Sequence, residues 1–165
     1  MHLIAAAAKD WGIGRDNGLL FRIPRDMQFF RETTLNKVVV MGRKTLESFP
    51  NQKPLPKRTN IVLTQNQDYQ AQGVILCHSE AELLRILADY DPESVFVCGG
   101  AAIYRMLLPR CRLAYITKVD AAAPADTYLP DLDADPAWVL RDTSAPIIDN
   151  RYTFTFNIYE NTKKL

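Results

Sequence analysis

One acid stands among apolar and aromatic residues in Leu20-Phe21-Arg22-Ile23-Pro24-Arg25-Asp26-Met27-Gln28-Phe29-Phe30. Pro24 suits a first helical turn, where a missing N–H costs nothing, and Asp26 then sits where the helix dipole favours a carboxylate. At about 100° per residue, Asp26, Phe29, Phe30 and Thr33 share one face. A carboxylate held against aromatic rings loses solvation and its pKa rises, so it can hold a proton near neutral pH and deliver it. The spacing therefore predicts a candidate general acid. A first-turn acid that serves only the dipole and faces water fits the same position.

Two strand-to-helix junctions carry the marks of an anion site. Lys37-Val38-Val39-Val40-Met41 reads as a strand and runs into Gly42-Arg43-Lys44-Thr45, before helix-like Leu46-Glu47-Ser48-Phe49. Glycine, two cations and a hydroxyl at such a junction suit a phosphate, and a solvated basic turn has the same composition. Val95-Phe96-Val97-Cys98 meets Gly99-Gly100, then a helix through Ala101, Ala102, Ile103 and Tyr104 to about Leu108, stopped by Pro109. Two residues without side chains let a pyrophosphate approach the backbone; a tight turn needing positive φ explains them equally. Two such junctions in one chain favour a dinucleotide over a mononucleotide. Gly12-Ile13-Gly14-Arg15-Asp16-Asn17-Gly18 is not the dinucleotide fingerprint, because its third glycine falls one position late and no helix follows directly. It reads as a mobile glycine-rich loop, either a plain connection or a lid. Arg58, entering the strand Asn60-Ile61-Val62-Leu63-Thr64, is placed to fork onto a carboxylate or simply to face water. Thr117 lies amid apolar neighbours and needs a partner: a buried carboxylate, a ligand or a main-chain carbonyl.

The elements that must hold these residues follow from length and pattern. With 165 residues, 47% of them hydrophobic, one domain with a full core is expected over 1–165. A net charge of +1 points to neither a nucleic-acid nor a membrane surface. Three scattered cysteines and two histidines show no metal-ligand spacing and no disulfide framework, so no metal is expected and the compartment reads as reducing. Residues 1–10 lack a basic leader pattern and read as a first strand, with alanines small enough to let a flat ligand or a helix pack close. Ser79 and Glu82 form a capping box for a packing helix. Residues 126–130 read as a turn-rich connection. Residues 138–143 and 152–159 read as strands, the second alternating strongly and so one-faced and antiparallel. The pattern is βαβα with extra strands at the end: a mainly parallel sheet with helices on both faces, binding ligands at the carboxyl ends of its strands.

In order and spacing these pieces resemble dihydrofolate reductase of the bacterial chromosomal type, nearly end to end. The matching stretches are Leu3-Ile4-Ala5-Ala6, Gly12-Ile13-Gly14, Ile23-Pro24-Arg25-Asp26, Thr33-Thr34-Leu35-Asn36-Lys37 and Met41-Gly42-Arg43-Lys44-Thr45. They continue with Pro54-Leu55-Pro56, Arg58-Thr59-Asn60, Gly99-Gly100, Asp126-Thr127 and residues 152–159. The resemblance implies an eight-stranded, mainly parallel sheet with an antiparallel C-terminal strand, and NADPH-dependent reduction of 7,8-dihydrofolate to tetrahydrofolate. Asp26 would hold the pterin and favour protonation of N5, with Thr117 bonded to it. Ile4 and Cys98 would offer carbonyls to the pterin edge. Ala6, Met27, Phe30 and Leu55 would line the pocket, and Arg58, with Arg31 and Lys53, would meet the glutamate carboxylate. For NADPH, the resemblance implies Ala6, Arg43, Lys44, Thr45, Gly99, Gly100, Ala101, Ala102, Ile103 and Tyr104. It adds Leu63, Thr64, Gln65 and His78 around the adenosine 2′-phosphate, and Ile13, Asn17, Gly18 and Leu19 in a closing loop. Leu19 and Phe21 would stand beside the reacting rings. Methotrexate and trimethoprim are the implied inhibitors, and a cytoplasmic monomer is implied as well.

Two departures from the family pattern stand out. Leu20-Phe21 replaces the usual Pro-Trp, and Phe21 has no N–H to anchor a water. Gln65 stands where a second serine or threonine is common. Two rival readings share the fold. A pyrimidine reductase of riboflavin synthesis would take a ribitol phosphate, against which Asp26 and Arg58 speak. A non-catalytic NADPH-binding homologue would not need Asp26, Thr117 and Gly99-Gly100 intact.

Overall fold

A computed structural model describes residues 1–164. Five of its strands, β1 (His2–Ala7), β4 (Val38–Gly42), β5 (Thr59–Leu63), β6 (Ile75–Cys77) and β7 (Val95–Val97), are short and largely apolar. Such runs suit parallel strands covered on both faces. With β8 (Leu113–Val119), β10 (Trp138–Thr143) and β12 (Tyr152–Asn161) they form one path, β10-β12-β8-β1-β7-β4-β5-β6. Parallel pairing runs from β8 to β6, and β12 turns antiparallel to both β8 and β10. This is the expected mainly parallel sheet. A ninth short strand, β11 (Ile147–Asp149), pairs with β12 off the path.

Helices lie on both faces. Alternation along β8 sends Thr117 to one face and Lys118 to the other. On the Lys118 face, Leu3, Ala7, Val40, Val97 and Ile116 pack with Leu83 and Leu87 of α3 (Glu80–Leu87) and Leu107 of α4 (Ala101–Leu107). On the Thr117 face, Val39, Met41 and Val62 pack with Leu46 of α2 (Arg43–Ser48). There α1 (Pro24–Thr34) lays Phe29 flat on Phe156, ring centroids 4.4 Å apart. A stacked pair of this kind contributes about 0.5–1.5 kcal/mol beyond area burial.

Three local expectations are corrected. The glycine-rich segment at 12–18 is a hairpin rather than an irregular loop: β2 (Gly12–Arg15) and β3 (Gly18–Leu19) pair around Asp16 and Asn17, whose φ values are 50° and 58°. Asp and Asn tolerate that left-handed backbone, which the mirror-image two-residue turn requires. Part of 126–130 is strand: β9 (Thr127–Tyr128) joins β2 in a three-stranded sheet, β3-β2-β9. β12 is not one-faced, since Phe154 and Phe156 face α1 while buried Asn157 and Tyr159 face the opposite layer. Asn157 is satisfied there by the Ile116 carbonyl at 3.2 Å.

Candidate active site

Asp26 lies in the first turn of α1, which begins at Pro24 and has no side-chain cap of its own. The helix is fixed at its start by the Arg25 N–H, which donates to Asp149 at 2.9 Å, and by Phe29 on Phe156. That docking turns Asp26 toward β8, where the Thr117 hydroxyl donates to Asp26 Oδ1 at 2.6 Å. Burial raises the Asp26 pKa above the usual 3.8, and the Thr117 hydrogen bond opposes the rise as the smaller influence. The acid is therefore the shielded one the sequence predicts, not a solvated first-turn carboxylate. Thr117 has found its partner in that carboxylate. Ala6 of β1 pairs in register with Thr117, so the small side chain stands beside the acid.

The neighbouring walls are held by specific bonds. The Tyr104 hydroxyl donates to the Ile4 carbonyl at 2.8 Å, and burial together with Asp26 and two thiols raises its pKa. Cys98 donates its backbone N–H to the Val40 carbonyl at 2.9 Å; its thiol is pushed by burial to about 12 and stays protonated. Phe30 is half-buried and Met27 is 53% exposed on α1. Leu55 packs in the cluster that contains Cys98 and Phe49. Buried Asn60 clasps the Leu55 N–H and carbonyl at 3.0 and 2.9 Å and the Arg58 carbonyl at 3.1 Å. Arg58 donates to the Pro56 carbonyl at 2.9 Å and to the Thr34 hydroxyl at 3.1 Å, and Thr34 in turn donates to the Phe30 carbonyl. Burial and nearby Arg31 lower the Arg58 pKa, the mark of a cationic patch suited to an anion. Arg31 and Lys53 are exposed.

The two glycine junctions lie side by side, because β4 and β7 are parallel neighbours. The Gly42 N–H donates to the Gly99 carbonyl at 2.9 Å, and a cis peptide joins Gly99 to Gly100. Side chains fit poorly here: Gly99 has φ +131°, which disfavours any side chain, and a Cβ there would come within 3.2 Å of the Thr45 hydroxyl. A Cβ on Gly42 would come within 3.2 Å of the Ile103 side chain, which would have to give by a few tenths of an ångström. Arg43 is engaged by Glu47 at 2.9 Å and lies over the Tyr69 ring, while Lys44 is exposed. Ala101 and Ala102 open α4 just beyond Gly100, Ala101 half-buried and Ala102 exposed, and Ile103 is buried. At the end of β5, Leu63 and Thr64 are buried and Gln65 is exposed. His78 Nδ1 lies 2.8 Å from the Thr64 carbonyl, and the Glu82 carboxylate accepts from the His78 N–H. Glu82 thus caps one residue earlier than the expected box, while the Ser79 hydroxyl accepts from the Glu82 N–H.

The hairpin reaches across to this anion-type surface. Asn17 Nδ2 donates to the Lys44 carbonyl at 3.1 Å, and the Asp16 N–H donates to Asp126 at 2.9 Å. Gly18 and Leu19 sit in β3, Leu19 69% exposed, and Ile13 packs against the main core. Phe21 is buried with Ala8, Ile23, Val119 and Phe154, edge-on to Tyr152 at 5.0 Å. Sequence reasoning missed Thr34, Asn60 and Asp126. Asn60 opens an apolar strand, where a buried polar group demands a partner, whereas Thr34 and Asp126 lie in polar or turn segments that carry no such signal.

Residues 1–161 match the family model described as dihydrofolate reductase. A dihydrofolate reductase from Enterococcus faecium is 35% identical over 162 residues, covering 97% of this chain and 96% of its own. A bifunctional dihydrofolate reductase-thymidylate synthase from Glycine max is 35% identical over 176 residues and covers 95% of this chain, which spans 33% of that relative's length. Among solved structures, dihydrofolate reductase from Enterococcus faecalis complexed with NADP(H) and RAB-propyl superposes with a TM-score of 0.87 at 34% identity, covering 98% of this chain and 96% of that one.

Proposed function

The chain belongs to the dihydrofolate reductase family, and from that premise we propose that it reduces 7,8-dihydrofolate to 5,6,7,8-tetrahydrofolate with NADPH. The observation that carries the reading is the half-buried carboxylate of Asp26, raised in pKa and held by Thr117 at 2.6 Å. A pterin presents an N3–H and a 2-amino group as two parallel donors, and a fixed carboxylate accepts both. Asp26 in this role orients the ring and favours a proton on N5, while the Ile4 and Cys98 carbonyls face the pterin edge. Leu55 lies beside the aminobenzoyl ring, and Arg58, braced by Thr34 and Pro56, pairs with the glutamate carboxylate.

The residues present fit NADPH. A cradle free of side chains at Gly42 and Gly99, where a Cβ would be tight, admits a pyrophosphate to the backbone, and Arg43, Lys44 and Thr45 supply cations and a hydroxyl beside it. Thr64, Gln65 and His78 collar the 2′-phosphate. When bound, NADPH supplies the hydride that goes to C6. The hairpin with Asn17, Gly18 and Leu19 excludes water from that transfer. The free thiols of Cys77, Cys98 and Cys111 suit a reducing cytoplasm.

The test is NADPH oxidation by purified protein, followed as loss of reduced-nicotinamide absorbance with and without dihydrofolate. A fast, dihydrofolate-dependent rate abolished by methotrexate is expected. A folded protein that binds NADPH and shows no such rate overturns the reading. Arg58→Leu is expected to raise the KM for dihydrofolate by about tenfold or more, the worth of a charge-assisted pair.

A further inference from the structure

The hairpin springs from a turn whose geometry is unusual for its residue. Trp11 sits at φ +67°, a left-handed backbone that bulky side chains avoid at a cost of order 1–3 kcal/mol. The turn persists because Trp11 is held from several sides. Its N–H donates to the Ala8 carbonyl at 3.0 Å, and its carbonyl accepts from the Leu129 N–H at 2.9 Å. Its ring is 5% exposed and meets Tyr159 edge-on at 6.0 Å. The remaining hold is Lys118. Its Nζ lies 3.6 Å from the Trp11 ring centroid and donates to the Lys9 carbonyl at 3.3 Å. Burial lowers the Lys118 pKa from its usual 10.5, and the carboxylates of Asp133, Asp131 and Asp10 oppose the shift. One residue beyond Trp11, Gly12 opens β2, and the hairpin tip reaches Lys44 through Asn17.

Building on the proposed reductase function, we propose that Lys118 is a positioning residue for the hairpin. Its ammonium clamps the Trp11 ring and the Lys9 carbonyl, and so holds the turn that sets the hairpin over the cofactor site. Lys118 follows Thr117 in β8 and points to the opposite face. One dipeptide thus fixes the acid on one side of the sheet and the hinge of its cover on the other. The Lys118 side chain leaves the face of β8 opposite to that of Thr117, so its influence on the cofactor passes through the turn.

The test compares Lys118→Met, which keeps a long apolar stem, with Lys118→Arg, which keeps a cation and a donor. NADPH affinity is measured by calorimetry on the purified chain. In Lys118→Met the NADPH Kd is expected to rise about three- to tenfold, the worth of a partly desolvated cation–π contact. The dihydrofolate KM is expected to stay within about twofold, and Lys118→Arg to restore the NADPH Kd. Tryptophan emission of the ligand-free protein should change in Lys118→Met, and Trp11→Phe identifies the share that belongs to Trp11. Should Lys118→Met fail to fold, Lys118→Gln takes its place, with an NADPH Kd expected between those of wild type and a threefold-to-tenfold loss. Unchanged NADPH affinity in the uncharged variant, or equal loss in the arginine variant, overturns the role. A wild-type chain that binds no NADPH overturns the functional reading as well, whereas tight wild-type binding with no difference between variants overturns the role of Lys118 alone.

Discussion

At the scale of the residue, Asp26 gives up stability for chemistry, and the sign of its pKa shift makes that measurable. Its folded-state pKa lies above the unfolded 3.8, so the folded chain binds the proton more tightly. Its contribution is fully present below about pH 3.8 and is lost as pH rises through the folded value. Asp26→Asn keeps an acceptor for Thr117 and removes the buried charge. We expect turnover at neutral pH to fall by about 10²–10⁴, the span for losing a general acid. The melting temperature is expected to rise above wild type at pH 7, with the difference closing near pH 4. Equal turnover removes Asp26 from the mechanism, and equal melting at both pH values removes the burial argument. Thr117→Val acts on the same group from the other side. The Thr117 hydrogen bond lowers the Asp26 pKa, so its loss lets burial raise the value further. The alkaline limb of the kcat/KM profile should then move to higher pH, with about a tenfold loss of rate for one charge-assisted bond. A limb that stays in place, or moves down, contradicts the coupling. Asp26 and Thr117 were each legible as polar misfits in apolar surroundings, whereas their pairing was implied only by the family resemblance, because the pattern left Thr117 a ligand or a main-chain carbonyl as well. The Thr34–Arg58 contact was not legible, because Thr34 lies in a polar stretch where no pattern marks it as buried.

At the scale of the element, the hairpin shows where sequence reading stops. Strands β4 and β7 announce themselves by β-branched and aromatic runs, and the glycines that follow them mark the junctions. The hairpin has no such signature. Its register depends on β9, more than a hundred residues away, and on the Asp126 carboxylate that accepts from the Asp16 N–H. A segment rich in glycine therefore reads as an irregular loop, while long-range pairing gives it regular strand structure. The glycines in it are not equivalent. A Cβ on Gly14 would lie 2.7 Å from the Thr127 hydroxyl and 2.8 Å from the Gly18 carbonyl, whereas one on Gly18 meets nothing nearer than 3.5 Å. Gly14→Ala must push β2 away from β9 or β3. It is expected to weaken NADPH binding by about tenfold or more, a loss of about 1.4 kcal/mol, while Gly18→Ala stays near wild type. Calorimetric titration of the two variants checks the contrast, and equal affinities would show that the hairpin does not cover the cofactor. Asn60 is the corresponding device on the substrate side. At 3% exposure it holds both polar groups of Leu55, so Asn60→Ala should cost about 1–3 kcal/mol in urea unfolding and raise the dihydrofolate KM. A cost below about 0.5 kcal/mol would mean that the Leu55 loop is held by packing alone.

At the scale of the whole molecule, the sheet divides its polar burdens between its two ends. The carboxyl ends of β1, β4 and β7 carry the site. The amino end carries His2, which is 2% exposed between Phe96 and Tyr115. The parallel order and the two helical layers followed from hydrophobic periodicity, which averages over many residues and survives local error. The fate of His2 did not, because a histidine opening an apolar strand reads as a free end. Its Nε2 lies 3.4 Å from Glu93, which is also bound by Arg112, and its Nδ1 has no hydrogen-bond partner among the described residues. Burial, with the Met1 amino group and Arg112, lowers the His2 pKa below 6.5, and Glu93 opposes the shift. The folded chain therefore binds this proton less tightly than the unfolded one. Stability is full above about pH 6.5 and declines as pH falls from there toward the lowered folded value. The Met1 amino group, lowered from 8.0 by burial, acts in the same direction at higher pH, and Glu93, held down by Arg112, weakens the fold only below about pH 4.5. The His2 contribution is isolated by comparing wild type with His2→Leu, which fills the same pocket without a titratable group. Urea midpoints at pH 8 and pH 5 should diverge, wild type losing more than the variant on acidification. The direction is opposite to that of Asp26, whose penalty grows as pH rises. The two substitutions combined should leave a fold whose stability is flatter across pH 4–8 than that of either single variant, because the sites lie at opposite ends of the sheet and their effects add. Parallel pH curves for wild type and His2→Leu would show that His2 is hydrated and charged in the folded chain.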